Sequence, residues 1–327
     1  MKSKFRGAFQ IAVMICLIVA AAMSAVSWSV MAQQRNGRPT LPQPSGIVGS
    51  DQLVINTDLI TLTVSVSDAK GQYVAGLDKS AFAVFDDQAP QEISFFSDED
   101  VPVSVGVVFD VSGSMRGAKL LQAREALSRF IHTSHERDEY FLLSFDSHVY
   151  DLLDKTRDAD AVLAKFTYVQ PHGNTALYDA VYLGIDKLAR GVYPKRVILL
   201  ISDGEDNDSR YTFSELRRGL QESGVVVYAV GIGMNYLPHA TGEATLRKLA
   251  SASGGRAFFP GSASEMDEAF ERIALELRHQ YSIGYKPMNF VPDGKRHRLK
   301  VKVKPPRGLP RLVVRSREGY YALANVR

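Results

Sequence analysis

Three oxygen-bearing side chains stand at alternate positions in the segment Asp110-Val111-Ser112-Gly113-Ser114. The segment follows a wholly apolar run, so we expect it at the carboxyl end of a buried strand, where open α/β sheets place their ligand sites. A turn tightened by Gly113 lets the carboxylate of Asp110 and the hydroxyls of Ser112 and Ser114 point toward one position. These hard oxygen ligands favour Mg²⁺, Mn²⁺ or Ca²⁺ over zinc or copper. The segment therefore predicts a divalent cation site.

Two later residues have side chains suited to the same site. Thr175 places a hydroxyl just before a predicted helix, and Asp203, followed by Gly204, places a carboxylate at the end of a second apolar strand. We predict that both contribute to the cation site. A purely structural interpretation stays open, in which Asp110 and Ser112 cap the following helix and Asp203 begins a turn.

Three further residues lie near these segments in the sequence. Asp206 and Asp208 suggest a second acidic cluster at the rim of the cation site, although a solvated loop is the alternative interpretation. His172 stands three residues before Thr175, so it is either a ligand contact or a surface loop residue.

The elements that must position these residues alternate between strands and helices. Wholly apolar strands are predicted at Val103 to Phe109, Tyr140 to Phe145, Val197 to Ile201 and Val225 to Val230. Amphipathic helices are predicted at Ala118 to His132, Ala159 to Phe166, Ala176 to Leu188, Phe213 to Ser223, Gly242 to Ser251 and Glu265 to Leu277. Such alternation is typical of βαβ units, and it predicts an α/β fold with a doubly wound, mostly parallel sheet over residues 101–278.

Shorter strands of alternating polarity flank this α/β region. On the N-terminal side, in residues 51–100, they are predicted at Ile60 to Val66, Tyr73-Val74, Phe82 to Phe85 and Ile93 to Phe96. On the C-terminal side, in residues 279–327, they are predicted at Tyr281 to Tyr285, His297 to Lys304 and Leu312 to Arg315. Neither segment is long enough to form a domain alone. Our hypothesis is that the two segments pair into one small β-sandwich, with the α/β domain inserted between them.

Residues 1–32 have the pattern of a secretory signal peptide. Lys2, Lys4 and Arg6 precede an apolar stretch, and Val30-Met31-Ala32 offers a cleavage site with small residues at its first and last positions. An uncleaved N-terminal anchor is the alternative, because the stretch is long enough to cross a hydrocarbon core of about 30 Å. Both interpretations predict export, to the periplasm, the cell surface or the extracellular space. Residues 33–50, rich in Pro, Gly, Gln and Ser, predict a flexible linker.

The composition indicates a globular body. The chain has 327 residues, of which 45% are hydrophobic and 23% charged, which excludes collagen-like, wholly disordered and polytopic membrane proteins. Without the three basic residues of the N-terminal segment, the 39 basic residues fall to 36 and equal the 36 acidic ones, so nucleic-acid binding is not expected. The single cysteine, Cys16, lies in the apolar stretch, so a processed chain has neither disulfides nor thiolate ligands.

Motifs typical of enzymes are missing from the sequence. Ser114 is not part of a Gly-x-Ser-x-Gly nucleophile elbow, and no Gly-Lys-Ser/Thr phosphate loop occurs. Mg²⁺-dependent hydrolysis at Asp110 is conceivable, but Ser112 stands where such enzymes usually supply a second acid. We therefore expect no catalytic activity.

Taken together and in this order, these segments closely resemble the von Willebrand factor A domain with a complete metal-ion-dependent adhesion site. The resemblance covers about residues 101–277, and it implies a bound Mg²⁺, Mn²⁺ or Ca²⁺. It implies hydroxyl ligands at Ser112, Ser114 and Thr175, and carboxylates that contact the metal directly or through water at Asp110 and Asp203. An ion held mostly by hydroxyls and water stays electrophilic, so its open coordination position takes an Asp or Glu side chain of a protein partner.

The flanking segments extend this resemblance to an exported bacterial subgroup often met in Acidobacteria, on the basis of Phe82 to Phe96, Tyr281 to Tyr285 and Glu318 to Tyr321. We therefore expect an exported, non-catalytic binding protein that contacts the membrane only through its N-terminal segment, if that segment is uncleaved. The alternative is a self-assembling structural component of the envelope, in which the metal mainly stabilises the fold. A Mg²⁺-dependent hydrolase is a third interpretation, and it lacks a positioned base.

Overall fold

The computed structural model describes residues 59–166, 171–233, 240–288, 290–305 and 311–322, which all lie in one compact unit. The predicted signal peptide, residues 1–32, and the predicted linker, residues 33–50, lie outside the described residues. Within the part of the chain that is described, no helix combines the length and the apolar character needed to cross a membrane.

Fourteen strands and six α-helices are found in the described residues. The strands are β1 (Ile60–Ser67), β2 (Phe82–Asp86), β3 (Ala89–Gln91), β4 (Ile93–Ser97), β5 (Val103–Asp110), β6 (Glu139–Phe145), β7 (Val149–Thr156), β8 (Lys195–Ser202), β9 (Val226–Gly231), β10 (Ala257–Phe258), β11 (Tyr281–Tyr285), β12 (Arg296–Val303), β13 (Val313–Arg315) and β14 (Gly319–Tyr321). The helices are α1 (Ala118–Thr133), α2 (Ala159–Phe166), α3 (Leu177–Ala189), α4 (Phe213–Ser223), α5 (Ala240–Ser253) and α6 (Ala263–Arg278).

A six-stranded sheet forms the centre of the α/β part, in the order β10-β9-β8-β5-β6-β7. Neighbouring strands are parallel except for β6 and β7, which are antiparallel. The α/β class and the mostly parallel sheet predicted from the sequence are therefore confirmed. The order reverses at β5, which pairs with both β6 and β8, and this reversal is the place where open α/β sheets form their ligand crevice.

Helices cover both faces of this sheet because its central strands are apolar on both sides. In β5, Val105, Val107 and Phe109 belong to a core shared with α1 and α6, whereas Val108 belongs to the opposite core, shared with α3, α4 and α5. All eight residues of β5 are buried. The alternation of side chains along a strand thus explains the continuous apolar runs that predicted a parallel sheet.

Several details of the fold differ from the predictions. The short strands β3, β10 and β14, of two or three residues each, were not predicted. Strand β7 was also not predicted. It lies half-exposed at the edge of the sheet, and its sequence mixes three charged residues with apolar ones, so it lacks a clear strand pattern. Tyr73-Val74, predicted as a strand, makes only an isolated bridge between Tyr73 and Ser67. A turn at Gly71, where φ is +84°, leads the chain back beside the end of β1. The pairing between the two segments is limited to this one bridge and does not extend into a strand.

The flanking segments form two antiparallel sheets that share one core. One sheet has the order β13-β1-β11-β4 and the other the order β14-β12-β2-β3, so each contains strands from both ends of the described chain. Leu62 and Tyr285 of the first sheet lie in the same apolar cluster as Val84, Val301 and Tyr320 of the second. Strand pairs such as β1 with β11 and β2 with β12 bring together residues about 220 positions apart in the sequence.

The hairpin loop between β2 and β3 contains an unfavourable residue. Asp87 and Gln88 both have positive φ, 43° and 73°, as a two-residue loop of type I′ requires. Asp tolerates this conformation, and Gly adopts it without strain, but Gln does not favour it. Gln88 is therefore a local compromise in the hairpin.

We expect Gln88→Gly to raise the free energy of unfolding by about 0.5–1 kcal/mol. Relief of the left-handed conformation is worth about 1–2 kcal/mol, and the greater flexibility of Gly in the unfolded chain offsets about half of it. Urea unfolding of the two proteins measures the difference. Gln72→Gly is the matched control, because Gln72 is also exposed but its φ is not positive, and this variant should gain no stability. Equal effects at both positions would contradict the prediction.

Candidate metal centre

Asp110 lies at the carboxyl end of β5, fully buried, and its position follows from the strand register. Because Phe109 is paired with Ile201 of β8, Asp110 lies beside Ser202. The hydroxyl of Ser202 donates to Oδ2 of Asp110 at 2.6 Å, and the backbone N–H of Ser112 donates to Oδ1 at 2.8 Å. These two hydrogen bonds fix the carboxylate at the edge of the sheet.

Asp203 follows β8 directly and is also buried, with 1% of its surface exposed. Its Oδ1 accepts a hydrogen bond of 3.3 Å from the N–H of Glu205, whereas its Oδ2 has no hydrogen-bond partner. The turn after Asp203 requires glycine: Gly204 has a φ of +79°, and a Cβ there would lie 2.3 Å from the carbonyl oxygen of Gly242 in α5. This close approach explains the Asp-Gly pair at the strand end.

The two buried carboxylates affect each other. Burial, followed by the negative charge of Asp203, raises the pKa of Asp110 from 3.8 to about 6. The hydrogen bonds from Ser112 and Ser202 lower the pKa but offset only part of this increase. The protein therefore holds two carboxylates where water cannot screen them, which costs free energy unless a positive charge joins them.

The predicted hydroxyl ligands of the first segment lie together. The hydroxyls of Ser112 and Ser114 are 3.0 Å apart, and Gly113 between them begins a single short 3-10 turn, Gly113–Met115. Ser112 is buried and Ser114 is exposed. The segment thus runs from the buried carboxylate of Asp110 outward to the surface.

Thr175 belongs to a loop that is docked on this segment. The N–H of His172 donates to the carbonyl of Val111 at 2.9 Å, and the N–H of Gly113 donates to the carbonyl of Gly173 at 3.2 Å. Thr175 itself is buried, and its N–H donates to Oδ1 of Asn207 at 2.9 Å. Hydrogen bonds therefore join all three segments that carry predicted site residues.

Two residues of this edge were missed by the sequence analysis. Ser202 holds the carboxylate of Asp110, and Asp146 follows the carboxyl end of β6, where Asp110 is paired with Phe145. Asp146 is 1% exposed, and its Oδ1 accepts a hydrogen bond of 2.8 Å from the N–H of His148. Asp110 and Asp203 were identified because each is a carboxylate directly after an apolar run. Asp146 also directly follows an apolar run, so the same signal would have identified it.

Asp206, Asp208 and His172, the residues predicted near the rim of the site, differ in exposure and in their contacts. Asp206 accepts hydrogen bonds from the N–H of Tyr178 and the hydroxyl of Ser209, so it ties its loop to the start of α3. Asp208 is exposed. The side chain of His172 is 62% exposed, and its Nδ1 lies 2.6 Å from Oδ2 of Asp146, although the contact lacks the alignment of a hydrogen bond.

The chemistry of this edge fits a divalent cation. Oδ2 of Asp203 is a buried acceptor without a donor, which is rare in folded proteins, and a metal ion would satisfy it. The same ion would neutralise the repulsion between Asp110 and Asp203. Carboxylate and hydroxyl oxygens are the ligands that Mg²⁺ and Mn²⁺ prefer, so the donor set agrees with the predicted class of ion.

Comparison with known proteins finds one family. Residues 104–272, more than half of the 327 residues, match the family described as von Willebrand factor type A domain. Inter-alpha-trypsin inhibitor heavy chain H4 of Sus scrofa is 27% identical over 210 residues, which are 59% of this chain and 22% of the relative. Inter alpha-trypsin inhibitor, heavy chain 4 of Mus musculus is 24% identical over 287 residues, 80% of this chain and 28% of the relative. The chain thus spans about a quarter of the length of these relatives.

Solved structures also resemble the chain. The von Willebrand factor type A structure from Catenulispora acidiphila overlaps with a TM-score of 0.47 at 15% identity, covering 81% of this chain and 73% of the other. The family match begins within β5 and ends within α6, so it includes every strand end and loop of the candidate metal centre. The chain belongs to the von Willebrand factor type A domain family.

Proposed function

We propose that this chain is an exported, non-catalytic binding protein whose domain uses a divalent cation to capture an acidic side chain of a protein partner. The proposed ligands, direct or through water, are Asp110, Ser112, Ser114, Thr175 and Asp203, which together make a complete metal-ion-dependent adhesion site. The proposal of export rests on the signal-like pattern of residues 1–32 and on the resemblance to an exported bacterial subgroup. The matched relatives are named as heavy chains of an inhibitor, which supports a non-catalytic role.

The observation that carries the proposal is the unpartnered Oδ2 of Asp203 beside the buried carboxylate of Asp110. The two carboxylates supply negative charge at the floor of the site, and the hydroxyls of Ser112, Ser114 and Thr175 supply neutral ligands. The two carboxylates balance the formal charge of a divalent ion, whereas the neutral hydroxyl ligands leave the ion electrophilic, with a coordination position open toward solvent. A carboxylate from another protein is the ligand that best completes its coordination.

The first test is binding of Mg²⁺ and Mn²⁺ to the purified protein, measured by calorimetry and by thermal unfolding. A site present only in the folded state stabilises the protein by about 2.7 kcal/mol when the metal is at a hundred times its dissociation constant. We expect Asp110→Ala and Thr175→Ala to remove both the heat of binding and the gain in melting temperature. Asp208→Ala is the matched control, because Asp208 is exposed on a neighbouring loop, and it should retain both.

Capture of a carboxylate is tested with two labelled peptides that differ only by Asp in one and Asn in the other. We expect the Asp peptide to bind in Mg²⁺ and to dissociate in EDTA, and the Asn peptide to bind in neither. An open metal site is weak until a carboxylate completes it, so metal titrations are repeated with acetate and with the Asp peptide. No metal binding under these conditions, or oligomers that form equally in EDTA, would contradict the proposal.

A further inference from the structure

A second cluster of metal-ligating side chains lies in the β-sandwich, outside the central sheet. Asp86 ends β2, Asp87 begins the hairpin loop, and His297 lies at the start of β12, the strand paired with β2. One ligand atom from each residue lies within 4.8 Å of the others. Nδ1 of His297 is 2.9 Å from Oδ2 of Asp87 and 3.8 Å from Oδ1 of Asp86.

Asp86 has one oxygen that is firmly held and one that has no partner. Its side chain is 7% exposed, and its Oδ2 accepts hydrogen bonds from the hydroxyls of Tyr285 at 2.8 Å and Tyr320 at 2.9 Å. Its Oδ1 has no hydrogen-bond partner and is too far from His297 for a hydrogen bond. The two tyrosines therefore orient the buried carboxylate with a free oxygen facing the imidazole.

The imidazole of His297 is also held in place. Its ring stacks on Tyr320, with centroids 5.1 Å apart and an angle of 19° between the planes. Its Nε2 has no hydrogen-bond partner and lies 3.8 Å from Oδ1 of Asp293. Metal-bound histidines commonly direct their other ring nitrogen toward a carboxylate, which fixes the ring and raises its basicity. Asp293 is placed for that role.

The charges of the cluster favour a cation. Asp86 and Asp87 both face Nδ1 of His297, so a protonated imidazole would balance only one of the two carboxylates. The other oxygen of Asp87 accepts a hydrogen bond of 2.8 Å from the N–H of Arg298. Asp293 already forms an ion pair with the exposed Lys295. A divalent ion between the three facing ligand atoms would balance both carboxylates and satisfy the free oxygen of Asp86.

We propose that Asp86, Asp87 and His297 form a zinc site that ties the β2–β3 hairpin to β12. Zn²⁺ lies about 2.0–2.2 Å from imidazole nitrogen and carboxylate oxygen, which suits ligand atoms 2.9 Å and 3.8 Å apart after a small adjustment. The neutral imidazole would ligate through the lone pair of Nδ1 with its proton on Nε2, on the side of Asp293. Any proton displaced from Nδ1 goes to solvent, and water completes the coordination. The inclusion of an imidazole distinguishes this site from the oxygen-only site of the central sheet, because Mg²⁺ prefers oxygen ligands.

The test is a Zn²⁺ titration of the purified, untagged chain by calorimetry in excess Mg²⁺, which competes for the oxygen-only site. We expect one equivalent of Zn²⁺ to bind and to raise the melting temperature. His297→Gln and Asp87→Asn should each weaken the affinity by more than about tenfold, since even loss of an outer partner costs about that much. Two variants keep the test valid if one of them folds poorly, and circular dichroism checks the fold of both.

Two controls locate the bound ion. His132→Gln removes an exposed histidine of α1 and should leave Zn²⁺ binding unchanged. Asp110→Ala removes the central-sheet site and should also leave it unchanged, so the outcome does not depend on the proposed adhesion function. Loss of Zn²⁺ binding in Asp110→Ala, unchanged affinity in His297→Gln and Asp87→Asn, or no binding to the wild-type chain would each overturn the proposal. The cluster would then be an ion-pair network without metal.

Discussion

Asp110→Asn is expected to stabilise the metal-free protein by up to about 3 kcal/mol at pH 7, although the same substitution removes the proposed metal binding. The pKa of Asp110 is raised from 3.8 to about 6 in the folded protein, by burial and by the charge of Asp203. A shift of about two pKa units corresponds to about 3 kcal/mol. Asn cannot ionise, so the variant avoids this cost.

The sign of the effect can be followed with pH. An acid whose pKa is higher in the folded state binds its proton more tightly there, so the metal-free protein loses stability as the pH rises from about 4 to about 6. Above pH 6 the full cost is present, and below pH 4 it is absent. The advantage of Asp110→Asn should therefore appear between pH 4 and pH 6 and remain constant above pH 6.

Urea unfolding in EDTA, at pH 4 and at pH 7, measures this difference for the wild type and the variant. Asp208→Asn is the matched control, because its exposed carboxylate should change the stability by less than about 0.5 kcal/mol at either pH. Addition of Mg²⁺ at pH 7 should then stabilise the wild type and leave Asp110→Asn unchanged. If the variant has the same advantage at both pH values, the ionisation of Asp110 is not its cause.

The second large effect is expected at Glu276, a fully buried glutamate in α6. Its Oε1 accepts a hydrogen bond of 2.7 Å from Arg315 of β13, and its Oε2 accepts one of 2.8 Å from the hydroxyl of Tyr73. Arg315 is itself mostly buried. Burial lowers the pKa of its guanidinium, but the charge and hydrogen bond of Glu276 outweigh this effect and raise the pKa above its ordinary value. This pair joins the last helix of the α/β part to the β-sandwich.

Glu276→Gln should lower the free energy of unfolding by about 3–5 kcal/mol, because it leaves the guanidinium of Arg315 buried without a counter-charge. Denaturant unfolding at pH 7 measures the loss. Glu268→Gln is the matched control on the same helix: Glu268 pairs with Arg272 at 3.6 Å, but both side chains are about half exposed, and the loss should be under about 1 kcal/mol.

A double variant separates the charge from the packing. Arg315→Met in addition to Glu276→Gln removes the buried charge that the single variant leaves unpaired, so it should recover part of the lost stability. If the double variant is less stable than Glu276→Gln alone, the contacts of the arginine stem contribute more than the ion pair, and the electrostatic explanation is wrong.

Residues that act through local position were accessible from the sequence. An apolar run of strand length followed by Asp predicts a carboxylate at a sheet edge, and this was sufficient for Asp110 and Asp203. The helices were predicted within about two residues of their ends, because their apolar periodicity is a property of neighbouring residues. The class of fold and the type of ion expected at this edge follow from the same local patterns.

Residues that act through register required the structure. Ser202 contacts Asp110 only because β5 and β8 are aligned with Phe109 opposite Ile201. Strand β7 pairs at the edge of the sheet, where mixed polarity is tolerated and the sequence pattern is weak. Strand register depends on contacts between distant segments, so it could not be predicted from the sequence of either segment alone.

The same distinction applies to the β-sandwich and its clusters. Alternating polarity predicted strands near residues 82 and 297, but the sequence did not indicate that the hairpin loop would bring Asp86 and Asp87 to His297, about 210 positions later. Likewise, the sequence alone does not distinguish Glu276 from the other charged residues of its amphipathic helix. Its role follows from the structure, in which β13 places Arg315 against it. Local periodicity in the sequence determined the strands and helices and the positions of the carboxylates at the strand ends. The partners of the buried charged groups were decided by tertiary packing. A charged group removed from water depends on the residue that lies beside it, and in this fold that residue is distant in the sequence.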